Sequence, residues 1–226
     1  MSRTAALLVV AGLLVGGAGP AAAGGPAVRA TPEDRAILRA GVVAAVDVPA
    51  GWTATRPTGA GTALRGVPTC AALTAAQEAA RRTSPAARSP EFSPPGVAHG
   101  VTAIDDTVVA FRSVAAASRF LGVFAAAGIP ACLEHAFVRA STRRATVTVA
   151  QLDDLQGVGD ASVGYEATIT AAAAGQELPF VGDVVAVRVG RAVALVSYLN
   201  DGPVSLPEGA GVVSAVATRL RFVATG

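Results

Sequence analysis

Residues 181–189 and 192–198 are two predominantly apolar runs, and only Gly190 and Arg191 separate them. Two residues suffice for a tight hairpin turn, so the runs pair antiparallel. Upstream, the apolar pattern also has a period of two. Thr146-Val147-Thr148-Val149 alternates, and in residues 163–169 the side chains of Tyr165, Ala167 and Ile169 share one side. Closely spaced strands of this kind form an antiparallel sheet.

Other segments have the period of a helix. Thr31-Pro32-Glu33-Asp34 supplies a cap, a proline at the first helical position and acids at the positive end of the dipole. Ile37, Leu38 and Val42 give that helix its apolar stripe. Thr69 is placed to cap a second helix through Leu73, Ala76, Gln77 and Ala80, with Cys70 in its first turn. A third follows Ser113 with Ala116, Phe120, Val123 and Phe124 inward, and Gly128 stops it. Pro130 opens a fourth carrying Cys132, Leu133, Ala136 and Phe137. The last starts at Pro207-Glu208, with Val212, Val213, Val216, Leu220 and either Phe222 or Val223 on its stripe. Four prolines make residues 84–96 a loop, and residues 97–113 read as strand, Asp105-Asp106 turn, strand. Residues 53–66, rich in Gly, Thr and Pro, read as a loop or an irregular edge strand. The class is α+β: an antiparallel sheet of about five to six strands packed against a layer of helices.

The N-terminus has the three zones of a secretory signal peptide: Arg3, an apolar stretch at residues 5–15, then Gly and Pro before Ala21-Ala22-Ala23. Cleavage is expected near Ala23. That leaves a small-residue tail at residues 24–30 and one domain at residues 31–226, with no transmembrane segment. The expected location is secreted or cell envelope. All 18 basic residues are Arg and Asn200 is the only Asn, a bias of a GC-rich genome rather than a functional signature. Without Arg3 there are 17 basic against 16 acidic residues, which lacks the basic excess of a nucleic-acid binder. Arg139, Arg143 and Arg144 form one local basic spot, read as a solvated helix end or turn. In an oxidising compartment Cys70 and Cys132 are expected to pair, closing a loop of about 60 residues worth roughly 4 kcal/mol.

Chemistry-bearing residues are sparse. His99 and His135 are the only histidines. With Cys70, Cys132 and Glu134 they lack the paired spacing of a zinc site, so no metal or cofactor is expected. Asp160-Ala161-Ser162-Val163-Gly164 has Asp where a nucleophile elbow needs Gly. Gly157-Val158-Gly159 lacks the third Gly of a dinucleotide loop and reads as a turn in which Asp160 satisfies local amides. Asp105-Asp106 and Asp153-Asp154 are read as solvated turn acids, with cation binding or acid–base work as the alternative. Trp52, presented by Pro49-Ala50-Gly51, is a core aromatic or a stacking platform for a ligand. No catalytic set is assigned.

Several of these features together resemble the actinobacterial extracellular sensor domains of the PknH-like group. They are Cys70 at a helix start, Ser89-Pro90-Glu91-Phe92 before a hairpin, and Val108-Val109-Ala110-Phe111 leading into Ala115-Ala116-Ala117-Ser118-Arg119-Phe120. Cys132, Gly157-Val158-Gly159-Asp160-Ala161-Ser162 and the run from Asp183 to Gly190 complete the set. The resemblance implies a helix–sheet sandwich with a cleft that senses an extracellular ligand. The group's kinase domain has more than one disulfide, whereas two cysteines allow one here. Pro49-Ala50-Gly51-Trp52 is also similar to exported proteins of Mog1/PsbP-like fold. The expected function is a secreted, non-enzymatic binding or sensor-like domain whose partner is a small molecule or an envelope protein. The alternatives are a hydrolase with an unrecognised site, which needs a His beside Ser162 or Asp105 beside Asp153, and a structural docking module, which needs an exposed apolar patch.

Overall fold

The computed structural model describes residues 28–55, 64, 66–95, 100–140, 145–173, 176–201 and 207–224. The expected signal peptide, His99, Arg143 and Arg144 lie outside the described residues. In chain order the elements are α1 (Pro32–Gly41), β1 (Thr53–Thr55), α2 (Ala71–Thr83), β2 (Ala86–Arg88), β3 (Glu91–Ser93) and β4 (Gly100–Ala110). There follow α3 (Val114–Phe124), α4 (Ile129–Ala140), β5 (Ala145–Gln151), β6 (Ala161–Ala173), β7 (Gln176–Val189), β8 (Ala192–Asp201) and α5 (Pro207–Ala224). The class is α+β. Eight strands form one antiparallel sheet in the order β1-β3-β4-β8-β7-β6-β5, and β2 pairs separately with β4.

The β7–β8 hairpin is its centre. Val189 pairs with Ala192 across Gly190, whose φ of 53° is a conformation glycine adopts without strain. β7 and β8 are buried on both faces, because helices cover each side. On the first face α3 and α4 pack on the sheet and α2 packs on α3. Val184, Ala186, Val193 and Leu195 point into that core. Phe124 there meets Tyr165 edge-on with ring centroids 5.5 Å apart, and the Tyr165 hydroxyl donates to the Phe124 carbonyl at 2.9 Å. On the second face α1 and α5 pack on each other and on the sheet, over Val185, Val187, Ala194 and Val196. The helices therefore divide into two layers rather than one, and the sheet is wider than five to six strands.

Local signals explain most elements. Thr31 and Asp34 form a reciprocal capping box ahead of Pro32. Ser113 caps α3 by accepting from the Ala116 amide at 3.2 Å. α3 buries Ala117, Phe120, Leu121 and Phe124, a stripe rotated by about one residue from the expected one. On α5 the inward residue is Val223, while Phe222 is 77% exposed.

Three expectations are corrected. Thr69 does not cap α2: Pro68–Cys70 forms a 3₁₀ turn and the helix begins at Ala71, so Cys70 precedes it. The proline-rich stretch is not a plain loop. β2 and β3 pair with β4 at its edge, where proline is tolerated, and Pro85, Pro90 and Pro94 punctuate them. Asp105-Asp106 is not a turn. It lies inside one continuous strand, β4, with both side chains 2% exposed.

Candidate functional site

The acids of β4 escape a turn because remote groups meet them. Alternation sends them to opposite faces of the sheet. Arg88 donates to Asp105 Oδ2 through Nη2 at 2.5 Å and Nε at 3.1 Å. Asp106 Oδ1 accepts from the Val43 amide at 2.8 Å, and the Asp106 amide donates to Ser89 Oγ at 2.9 Å. Burial pushes Asp105 up to about 7 against the opposing pull of Arg88. Burial also pushes Asp106 up to about 7, opposed by the Val43 and Ser89 hydrogen bonds. Neighbouring Glu91 is raised by burial, again with Arg88 opposing. Each aspartate bonds the backbone or a side chain of a packed neighbour, so both are fastened into the fold.

The remaining candidates are likewise fastened. His135 is exposed on α4 and its Nδ1 lies 3.1 Å from Thr69 Oγ1. Ser162 Oγ donates to the Leu155 carbonyl at 2.8 Å, so these two residues serve separate contacts. Glu134 Oε1 accepts from the Val149 amide on edge strand β5. Asp160 accepts from the Gly190 amide at 2.7 Å and from Arg188 at 3.2 Å, holding the 157–160 turn against the central hairpin. Gly159 has φ +71°, and a Cβ there would stand 2.5 Å from Val187 and 2.7 Å from the Arg188 carbonyl. Asp153 and Asp154 are exposed, and Asp105 is occupied by Arg88. Trp52 is half-buried against the second core. Among the described residues, no group of three or more His, Cys, Asp or Glu is placed to hold a metal ion.

Cys70 and Cys132 are joined by a disulfide, with Cα atoms 4.8 Å apart across 62 positions of sequence. It ties the start of α2 to α4. Beside it opens a groove of about 400 Å³. Its walls are Leu64, Val67, Pro68, Ala71 and Ala75, with Gly66, Thr74 and Glu78 adding polar edges. The Thr74 hydroxyl is shut from solvent and has no hydrogen-bond partner. Small residues on α2 make the room: the exposed side of its first two turns carries alanines where larger side chains would fill the groove. Thr74 and the groove drew no notice in sequence, since an Ala-rich helix face reads as ordinary surface.

Among the described residues no single helix is long and apolar enough to cross a membrane. α3 and α4 pass that test only as a pair bent by 68°, and both bury apolar residues in the first core.

No family profile matches the chain, and no characterised protein matches it in sequence. Among solved structures, it is similar to the crystal structure of the extracellular domain of PknH from Mycobacterium tuberculosis. The identity is 13% and the TM-score 0.45, over 69% of this chain and 76% of that one.

Proposed function

We propose that this chain is an exported binding module, sensor-like rather than enzymatic, whose ligand seats in the groove beside the disulfide. The groove carries the reading: its volume and its largely apolar wall with a few polar groups are those of a small-molecule site. The disulfide supports an oxidising compartment. The ligand class that fits is a small molecule with a largely apolar body that lies along the alanine face of α2.

The test is thermal unfolding of the oxidised chain with a long-chain fatty acid, an acylated sugar and a short apolar peptide. A ligand selective for the native state raises the midpoint, by an amount equivalent to about 2.7 kcal/mol at a hundredfold excess over Kd. Ala71→Trp, which fills the groove, should abolish the shift and keep the fold. A shift that survives Ala71→Trp, or no shift with any probe, rejects the groove as the site.

One observation favours a second reading, a docking module. Val46 is 88% exposed beside Asp47, which Arg219 grips one helical turn before the exposed Phe222. Val46 and Phe222 are thus large apolar side chains left in solvent. Failure of the groove together with loss of a protein partner in Phe222→Ser would favour this reading.

A further inference from the structure

Away from the groove, the outer edge of the sheet is a flap of two short strands. β1 pairs with β3 at all three of its residues: Thr53 with Ser93, Ala54 with Phe92 and Thr55 with Glu91. β3 in turn meets β4 in register at one position, Phe92 against Ile104. By contrast β2, just before it in the chain, pairs with β4 at Ala86, Ala87 and Arg88. Ser89 extends that hold. Its amide donates to the Asp106 carbonyl at 3.1 Å, and its hydroxyl accepts from the Asp106 amide at 2.9 Å. Pro90 has no amide to donate, so firm pairing stops at Ser89 and the flap begins there.

Phe92 and Ile104 point into the second core, so alternation sends their neighbours Glu91 and Asp105 to the other face. The same register sets Glu91 against Asp105. Opposed side chains have Cβ atoms about 4.5–5.5 Å apart, where like charges repel. Both residues are buried. Besides burial, the charge of Glu91 pushes Asp105 upward against the pull of Arg88, so the two carboxyls act on each other. Among the described residues, the charged groups around the pair are Arg88 from β2 and, on the far side of the same strand, Asp106. The residues opposite on β8 and β1 are Ser197 and Thr55, which carry no charge. One guanidinium thus meets two carboxyls. It bonds Asp105 Oδ2, while Asp105 Oδ1 is buried with no hydrogen-bond partner. With one proton on the pair the trio is neutral. Without it, a net negative charge is shut inside the protein.

We propose that β1 and β3 form a proton-locked flap, closed while the Glu91–Asp105 pair holds a proton and lifting from β4 when the pair gives it up. Burial of Phe92 holds the flap shut. Repulsion between the two carboxylates, and the hydration both regain, drive it open. Opening bares Phe92, Ile104 and the outer edge of β4. The value of about 7 for Asp105 sets the change near neutral pH, with the open form on the alkaline side. The flap shares no residue with the groove, so either can fail without the other.

Trp52 is the reporter. It is the chain's only tryptophan, stands directly before β1 and packs against the second core. Titrating the full oxidised chain from about pH 5 to about pH 9 should red-shift its emission and raise acrylamide quenching about twofold, at constant far-UV circular dichroism. Over that range, hydrogen exchange at Thr53–Thr55 and Glu91–Ser93, corrected for the intrinsic effect of pH, should quicken about tenfold while α4 is unchanged. Glu91→Gln leaves one carboxylate for one guanidinium and should keep the flap closed throughout. Asp106→Asn, on the other face, should leave the Trp52 transition in place. Emission and exchange that ignore pH overturn the proposal. So does a transition that persists in Glu91→Gln, or one in which the circular dichroism collapses with the emission, since that is global unfolding.

Discussion

The two faces of the sheet are fastened by different chemistry. On the first, the helices α2, α3 and α4 are held by apolar packing, by the Phe124–Tyr165 contact and by a disulfide, and the Arg88–Asp105 ion pair on that side joins two strands rather than a helix end. On the second, α1 and α5 have an apolar core as well, yet their ends are gripped by charge. Arg191 bonds Asp34 at 2.6 Å and Glu33 at 2.9 Å, and it also donates to the Phe111 carbonyl. Arg219 bonds Asp47 and the carbonyls of Ala40 and Val42. Asp106 holds the Val43 amide. A covalent tie acts at every pH, whereas these clasps depend on ionisation, so the two faces should answer different perturbations.

Removing the covalent tie should have the largest effect. Cys70→Ser with Cys132→Ser should cost about 4 kcal/mol in denaturant unfolding, because the open chain regains the entropy of a long loop. A loss below about 1 kcal/mol would mean that apolar packing alone fixes the first face.

Acidity comes second. Asp105 and Asp106 have native values near 7 against an ordinary 3.8. Between those values the native state binds more protons than the unfolded chain. Stability should therefore fall as pH rises from about 4 to about 7 and level off above, by on the order of 2 kcal/mol once buried sites relax. Urea midpoints across that range check the sign, and Asp106→Asn should flatten the slope. A midpoint that climbs with pH would refute the assignment.

Arg191→Ala comes next, at about 1.5 kcal/mol, because it strips Asp34 of a charged hydrogen bond. Burial pushes Asp34 up, but the Thr31 and Arg191 bonds hold it below the usual carboxylate range. The loss should appear as faster hydrogen exchange in α1 and not in α4; equal exchange in both would erase the distinction between faces. The smallest effect is expected of Phe222→Ser, within about 0.5 kcal/mol by thermal unfolding, since its side chain is largely in solvent. A larger loss would make Phe222 part of the fold rather than a free surface.

Much of the fold was legible where partners are close in sequence. The capping box at Thr31, the Gly190-Arg191 turn and the stripes of α4 and α5 all rest on neighbours within a few positions. Asp105 and Asp106 were misread because what satisfies them is remote. Arg88 and Ser89 lie on another segment, and Val43 is 63 positions away. The second helix layer did leave a signal. Residues 181–189 and 192–198 are apolar almost throughout instead of alternating, which is the mark of strands covered on both faces. The candidate sites were nearly silent. Alanine and threonine on a helix look like surface. Glu91 and Asp105 meet through strand register, which no single segment displays.

The strand order has a consequence for how the chain is made. Among the described residues β8 is the last strand in sequence, yet it stands between β4 and β7 and joins the two halves of the sheet. A chain emerging from the ribosome N-terminus first holds two unfinished ribbons, each ending in a raw edge, until the final strand arrives. Synthesis halted before residue 192 leaves β4 and β7 as bare templates for pairing between molecules. Nascent chains stalled there should be the most prone to aggregate and to need a holdase.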